Sequence, residues 1–445
     1  MLMLFLYLLI IVSLVILLYD YRSGIITSLM VITNFGEFVY VNPNLEIGDF
    51  GGVGTIYFMD LFWIALAVVV FLKKDKLVLL NYKISFLILL SLFIISLIIP
   101  YLISSSSIKD TISVIRPIGN FLFLPYFVIT VTDIKSFNFL EKVITSLIFI
   151  FIAVQVFEYS TQKRIPVRFF EKYSVFYGED PFAVEFGGIK TGYIWSRIGY
   201  LLPFNLFFGC YYFFKDRRNY GLLLLGAYTL SIMIALSRIW IIGFVFFLIV
   251  ISVFLLIKNI DELNIKTKLF GLLGSFVFIG VVLLYTSSTF NQIFDIFLLR
   301  VNSINDLADK TDSSFLGREY ILLQMISIWW EYPLFGAGFS SISRRLITND
   351  LGFPNIVTIF GAAGIVMLIS FMVQFYQNIK VFIKADYILF STLASLMLML
   401  TLMSIFSIDM FYFNATGAIL FAIGNILLNL AKQEPEENVS YNYAA

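Results

Sequence analysis

The sequence predicts an all-α polytopic membrane protein with about 12–13 transmembrane helices and a large helical outer loop. Apolar residues make up 60% of the 445 residues and charged residues only 13%, which is too little charge to cover a soluble protein of this length. Runs of about 20 mostly apolar residues recur along the chain, and each is long enough to cross a bilayer as a helix. Lys and Arg concentrate in alternate short connections, which predicts the orientation of these helices.

Twelve apolar runs are the clear candidates for spans. They are residues 1–18, 55–72, 84–103, 114–132, 141–159, 197–214, 219–236, 239–257, 269–286, 356–376, 387–407 and 411–430. Residues 24–41 are a weaker candidate because Asn34, Gly36 and Glu37 interrupt the run, so this segment either spans the membrane or lies at its surface. The first run lacks the basic start and the cleavage site of a signal peptide, and we expect it to stay as a span.

Five basic connections define the predicted cytoplasmic face. They lie at residues 73–76, 135–142, 215–218, 258–268 and 380–384. Residues 160–196 and 287–355 then fall outside, and the N-terminus is cytoplasmic with 12 spans and external with 13. The predicted organisation is an N-terminal bundle (1–286), a large outer loop (287–355), C-terminal spans (356–431) and a disordered cytoplasmic tail (432–445).

The large outer loop is too long to be a simple connector, and long ordered loops commonly carry function. Apolar residues recur at helical spacing over residues 290–301, which predicts an amphipathic helix on the membrane surface. A second helix is predicted from Gly317 to Glu331, before the breakers Pro333, Gly336 and Gly338. A third, short helix is predicted over residues 340–346.

Composition also limits the chemistry. The chain has no His, and its one cysteine, Cys210, lies in an apolar run, so an intrachain disulfide and a zinc site are excluded. Asp306, Asp309 and Asp312 are more typical of a solvated acidic loop than of a cation site. We therefore expect no metal and no cofactor. The formal net charge of +1 gives no reason to expect a nucleic-acid partner.

Six arginines on the predicted outer face are candidates for binding. They are Arg197, Arg238, Arg300, Arg318, Arg344 and Arg345. The guanidinium group is always charged and binds phosphate oxygens in a fork, so arginines that converge on one face indicate a phosphate or diphosphate site. The alternative is contact with lipid headgroups. Arg238 follows Ser237 in a very short predicted turn that needs no charge, which favours the functional interpretation for this residue.

Two further groups of side chains are candidates. Tyr320, Trp329, Trp330 and Tyr332 are suited to stacking on sugar rings, although an interfacial aromatic belt has the same composition. Asp350 comes just before the next span on the outer side. A carboxylate there is a candidate general base, and an ordinary loop aspartate is the alternative.

Three segments together carry a family resemblance. The stretch from Gly317-Arg318 to Pro333-Leu334-Phe335-Gly336-Ala337-Gly338 resembles a signature of the O-antigen polymerase and O-antigen ligase superfamily. Ser237-Arg238 resembles the family's Ser-Arg turn, and Gly361-Ala362-Ala363-Gly364 resembles the start of its next span. Ligases of the family often have a His before that span, at a position near Asp350. The absence of His therefore favours a polymerase and leaves the base assignment open.

The resemblance implies a bacterial multi-pass protein of the cytoplasmic (inner) membrane with its active site on the outer face. It implies a metal-independent, inverting polymerisation of polyprenyl-diphosphate-linked oligosaccharide repeat units. Arg238 and Arg318 would bind the donor diphosphate, Arg344 or Arg345 a second diphosphate or the acceptor, and Asp350 would accept the proton. Arg197, Arg300, Tyr320 and Trp329 are additional candidates. Membrane lipids, a chain-length regulator and a flippase are the other implied partners.

Two alternatives stay open. One is a ligase that transfers a finished glycan to another acceptor. The other is a transporter or a flippase for lipid-linked oligosaccharides. A flippase is expected to carry polar residues in the middle of its spans and short loops on both faces, whereas this sequence has few mid-span charges and one long outer loop.

Overall fold

A computed structural model gives the structure of the protein. It describes residues 2–33, 46–49, 55–105, 107–161, 185–186, 189–190, 197–215, 217–235, 238–257, 313–347, 351–406, 410–411 and 414–433. The predicted surface helix at 290–301, the predicted span at 269–286, the three aspartates of the acidic loop and the C-terminal tail after residue 433 lie outside the described residues.

Helices dominate the described residues, as the sequence predicts. The α-helices are Leu2–Tyr19, Tyr21–Ile32, Phe58–Leu72, Lys83–Leu102, Ile108–Ile115, Phe123–Thr130, Ile134–Thr161, Leu202–Phe214, Arg218–Ala235, Arg238–Ile257, Ser313–Glu331, Ser341–Leu346, Gly352–Ile379, Phe382–Ala385, Tyr387–Phe406 and Thr416–Gln433. In the part of the chain that the structure describes, 3₁₀ helices cover Lys74–Leu79, Arg116–Leu122 and Arg197–Leu201. Two small antiparallel hairpins pair Glu46–Asp49 with Thr55–Tyr57 and Glu185–Phe186 with Ile189–Lys190.

The helices confirm a polytopic membrane protein of the all-α class. Among the described residues, six helical segments are long and apolar enough to cross a membrane. They are Lys83–Leu102, Ile108–Thr130, Ile134–Phe157, Ile239–Ile257, Gly352–Ala385 and Tyr387–Ile405. Most other predicted spans coincide with shorter or partly described helices. The total of 12 or 13 spans stays a prediction because part of the chain lies outside the described residues.

The helix Lys83–Leu102 illustrates how the spans are patterned. Apart from Lys83 and Ser91, its exposed side chains are large and apolar and recur every three or four residues, as in Ile84, Leu87, Leu90, Ile94 and Ile98. The opposite side is buried in the protein and includes Ser96. A predominantly apolar exposed stripe on a helix of this length is the surface that a span presents to lipid.

The chain forms two compact units that interleave in sequence. The first comprises residues 1–144, 317–381 and 401–443. Its core is aromatic: the ring of Phe371 packs against Tyr82, Phe121 and Phe421, with centroid separations of 5.8, 5.4 and 5.5 Å. This unit holds residues 317–347 and 351–355 of the large loop. The linear division into bundle, loop and C-terminal spans stays a prediction.

The second unit comprises residues 145–316, 382–400 and 444–445. Every residue of the helix Leu202–Phe214 is buried, including Cys210. The carboxylate of Asp386 is also buried. It accepts a hydrogen bond from the Tyr211 hydroxyl at 3.2 Å and pairs with the Lys215 ammonium at 3.1 Å, so its charge is compensated.

Candidate functional site

The candidate site in the first unit is built from the end of the large loop. The helix predicted from Gly317 is present but begins earlier, at Ser313, and ends at Glu331 as predicted. Residues 333–340, called the motif loop below, follow it. The short helix Ser341–Leu346, called the arginine helix, comes next, with the Ser340 hydroxyl accepting from the Ser343 amide at 3.2 Å as an N-cap.

The span that follows the loop is interrupted. Helix Gly352–Ile379, called the broken span, has a non-helical residue at Gly361, with φ of 61° and ψ of −151°. This region of backbone conformation is essentially restricted to glycine. In a continuous helix the amides of Ala362 and Ala363 would donate to the carbonyls of Thr358 and Ile359. The break separates these two donors from their two acceptors.

The motif loop supplies a partner for each of the four separated groups. The Ala362 and Ala363 amides donate to the carbonyls of Pro333 and Leu334, at 2.9 and 3.1 Å. In return, the Thr358 and Ile359 carbonyls accept from the amides of Ala337 and Gly338, at 2.9 and 3.0 Å. Backbone at membrane depth must be hydrogen-bonded within the protein. The motif loop and the break in the span are therefore one structural feature, called the backbone joint below.

The backbone joint also explains the glycines of the motif. Gly336 and Gly338 have φ of 64° and 63°, and a Cβ atom at Gly336 would lie 2.6 Å from the backbone of Ile359. A Cβ atom at Gly361 would lie 2.5 Å from the carbonyl carbon of Leu334. These distances are too short for any side chain. The repeated glycines therefore serve the close approach of two backbones.

Polar contacts fix the start of the arginine helix to two neighbouring segments. The Ser341 amide donates to the Ser105 carbonyl at 3.2 Å, and the Ser341 hydroxyl donates to the Asp110 carboxylate at 2.6 Å. The Ser343 hydroxyl donates to the carbonyl of Gly338 at 2.7 Å. The arginine helix is thus held at its N-terminal end, while its last turn is left exposed.

That exposed last turn carries Arg344 and Arg345. The Arg345 guanidinium donates to the Ser341 carbonyl at 3.3 Å within the same helix. Two adjacent cations at a helix C-terminus also interact favourably with the helix dipole. An anchored helix with two exposed guanidinium groups is nevertheless suited to binding an anion with several phosphate oxygens.

An ion pair that the sequence did not predict lies inside the predicted membrane region. Arg116 donates to Asp60 in a bidentate pair, with Nε–Oδ1 and Nη2–Oδ2 distances of 2.9 and 3.0 Å. The guanidinium also lies 4.4 Å from the ring centroid of Tyr57. Asp60 accepts from the Tyr57 amide at 2.9 Å. In the predicted span 114–132, Arg116 lies close to the end. The structure begins the apolar helical segment at Ile108, so Arg116 lies well inside that segment.

The aromatic candidates lie on the helix Ser313–Glu331 and its end. Tyr320 and Trp330 are 65% and 77% exposed, and Trp329, at 37%, donates its indole N–H to the Pro333 carbonyl at 3.2 Å. The Tyr332 hydroxyl donates to Glu331 at 2.7 Å. That hydrogen bond, with smaller contributions from burial and from the carboxylate charge, raises the pKa of Tyr332.

The other predicted site residues are only partly described. Arg318 lies on the helix Ser313–Glu331, Arg238 is the first residue of the helix Arg238–Ile257, and Arg197 begins a 3₁₀ helix. The side chains of these three arginines lie outside the described part of the structure. Arg300 and Asp350 fall wholly outside the described residues. Convergence of the six arginines and the role of Asp350 as a base therefore stay predictions.

The fold and the motif loop define a multi-pass membrane protein with an ordered loop docked into an interrupted span. Residues 221–360 match the sequence model of the O-antigen ligase family. This part of the chain is therefore similar to a family that functions in polysaccharide assembly. The matched segment includes the motif loop and the Thr358 and Ile359 carbonyls of the backbone joint. No curated protein sequence matches the chain.

Proposed function

We propose that the protein polymerises polyprenyl-diphosphate-linked oligosaccharide repeat units into a surface polysaccharide on the outer face of a bacterial cytoplasmic membrane. The observation that carries this proposal is the pair Arg344 and Arg345, exposed on a helix that the family motif anchors. The match to the O-antigen ligase family supports glycan transfer as the reaction class. The lack of His, which favours a polymerase within the superfamily, supports the finer assignment.

The proposed reaction is a single displacement at the anomeric carbon of the donor glycan. A sugar hydroxyl of the acceptor repeat unit attacks that carbon, and the bond to the donor diphosphate breaks. The electron pair leaves with the polyprenyl diphosphate, whose developing charge the arginines stabilise. The hydroxyl proton passes to a base, for which Asp350 is the candidate. The configuration at the anomeric carbon is inverted, and no step requires a metal.

Polymer formation by the purified protein in lipid nanodiscs tests this proposal directly. The substrate is the lipid-linked repeat unit of the source organism, and the product ladder is resolved by gel and mass spectrometry. We expect long polymer from the wild type, and strongly reduced polymer from the Arg344→Ala/Arg345→Ala double variant. Lys380→Ala, which removes an exposed cation on the predicted cytoplasmic side, is the matched control. Equal activity of the double variant and the control would refute the role of the arginine pair.

The same preparation separates the alternatives. A ligase would consume the donor only when a different acceptor, such as a core oligosaccharide lipid, is supplied. A flippase would move the lipid-linked unit between leaflets without changing its mass. The Asp60–Arg116 pair and the interrupted span are features that transporters share, so the flipping assay is a necessary comparison. Arg238→Ala and Arg318→Ala extend the test to the arginines whose side chains lie outside the described part of the structure.

Cysteine labelling tests the proposed orientation. Cys210 is the single cysteine of the sequence and is buried, so the native protein should resist a membrane-impermeant maleimide. Arg345→Cys places a thiol on the exposed turn, and we expect it to be labelled in intact cells. Lys380→Cys should be labelled only after the membrane is opened. The reverse pattern would refute the predicted orientation.

A further inference from the structure

We infer that Pro100 is a positioning residue, which holds the motif loop and thereby the two arginines of the arginine helix. Pro100 lies in the helix Lys83–Leu102, more than 230 residues before the motif in sequence, and it belongs to none of the motifs that carry the family resemblance. The functional half of this inference rests on the proposed function of the arginines. The structural half stands on the hydrogen bonds alone.

Pro100 removes one hydrogen-bond donor from the helix Lys83–Leu102. Proline has no backbone N–H, so the carbonyl four residues earlier in a helix loses its usual partner. For Pro100 that carbonyl belongs to Ser96, which is buried. The amide of Phe339, in the motif loop, donates to this carbonyl at 2.9 Å. A buried carbonyl needs a hydrogen-bond donor. Because Pro100 has no N–H, the Ser96 carbonyl stays available to the Phe339 amide of the motif loop.

The surroundings of Phe339 are adapted to this contact. A Cβ atom at Gly338 would lie 2.8 Å from the Ser96 carbonyl oxygen, so glycine is needed for the loop to come this close. The Thr111 hydroxyl donates to the Phe339 carbonyl at 2.9 Å, which satisfies the other backbone group of the residue. The Phe339 ring is fully buried and packs against Phe93 at a centroid distance of 5.4 Å.

The turn after Pro100 provides a second acceptor. The Ser105 amide donates to the Pro100 carbonyl at 2.9 Å, and the Ser105 carbonyl in turn accepts from the Ser341 amide. The two amides that enter the arginine helix, those of Phe339 and Ser341, are therefore both bound at the end of the helix that contains Pro100. A shift of this end would move the turn that carries Arg344.

Pro100→Ala tests the contact because it restores an N–H that competes for the Ser96 carbonyl. Amide hydrogen exchange of the full-length protein in nanodiscs, followed by mass spectrometry, reports on peptides that cover residues 334–346. Loss of one net hydrogen bond should accelerate exchange at Phe339 by about fivefold. Ile98→Ala, on the exposed side of the same helix, is the control and should leave the exchange unchanged.

Kinetics of glycan transfer test the positioning role. We expect Pro100→Ala to raise KM for the lipid-linked donor more than it lowers kcat, since the arginines bind the diphosphate in the ground state as well. General destabilisation would instead reduce the active fraction, which lowers kcat at constant KM. Gly338→Ala is the second variant. Because it disturbs the same contact, its effect on exchange and KM should be less than additive with that of Pro100→Ala.

The two halves of the inference fail separately. Unchanged exchange at Phe339 in Pro100→Ala would overturn the contact. Faster exchange in Pro100→Ala with an unchanged KM would overturn the positioning role. The proposed function would still hold in that case, provided that the wild type transfers glycan. Failure of the wild type to transfer any lipid-linked glycan would reject the proposed function and, with it, the functional half of the inference. The exchange data would then decide the structural half alone.

Discussion

Gly361→Ala is the most direct test of the backbone joint. The native conformation, with φ of 61° and ψ of −151°, is essentially closed to alanine, and strain of this kind costs about 1–3 kcal/mol. The new Cβ atom would also lie 2.5–2.6 Å from the backbone atoms of Leu334 and Gly336, which cannot move aside as a flexible side chain would. The variant can therefore keep the interrupted helix only with a strained backbone at residue 361 and steric overlap with the motif loop.

The variant can instead form a continuous helix through residue 361. If residue 361 becomes helical, Ala362 and Ala363 regain Thr358 and Ile359 as acceptors, and the motif loop loses four hydrogen bonds. The amides of Ala337 and Gly338 are buried, and each buried donor left without a partner costs about 1–3 kcal/mol. Both routes therefore predict a loss of stability of about 3 kcal/mol.

Thermal unfolding in detergent, followed by intrinsic tryptophan fluorescence, measures this loss as a lower Tm. Gly226→Ala is the matched control because a Cβ atom there meets nothing within 4 Å and the residue lies in a regular helix. Alanine favours a helix over glycine by about 0.5–1 kcal/mol, so the control should be neutral or slightly stabilised. Equal Tm values for Gly361→Ala and the control would refute the argument that the break depends on Gly361.

Two further predictions concern the surroundings of the site. Asp60→Asn should lower Tm, because it removes the negative charge that is hydrogen-bonded to the partly buried Arg116, at a cost of about 1–3 kcal/mol. Asp75→Asn, at an exposed position, is the control and should change stability by less than about 0.5 kcal/mol. Equal shifts in both variants would show that the ion pair contributes nothing. Trp330→Phe should reduce the quenching of tryptophan fluorescence by brominated lipids, whereas Trp240→Phe, which removes a fully buried indole, should not. The opposite result would exclude lipid contact at Trp330.

Much of the fold follows from the sequence because lipid imposes a simple rule on it. A chain that crosses a bilayer must satisfy its backbone within each segment, so long apolar runs become helices almost regardless of their neighbours. The helices Lys83–Leu102, Gly352–Ile379 and Tyr387–Phe406 cover the predicted runs within a few residues. The helix that ends at Glu331 and the short helix after Ser340 were also predicted, because Pro, Gly and Ser mark their ends locally.

The sequence did not predict where those runs would be interrupted. The predicted span 356–376 is broken at Gly361, and a 3₁₀ helix from Arg116 to Leu122 divides another. A glycine in an apolar run has the same appearance whether its helix is straight or broken. The helix is interrupted at Gly361 because the motif loop approaches it there and supplies hydrogen-bond donors and acceptors to the separated backbone groups.

The sequence by itself determined the class of the protein, its helical loop and the arginines that make a diphosphate site chemically reasonable. Only the tertiary structure decided that the family motif is a backbone joint, that Arg116 is paired with Asp60, and that Pro100 leaves a carbonyl for Phe339. Composition and periodicity report the preference of each segment for lipid or helix. Hydrogen bonds between segments distant in the chain have no local signature, because each partner is defined only when the other is in place.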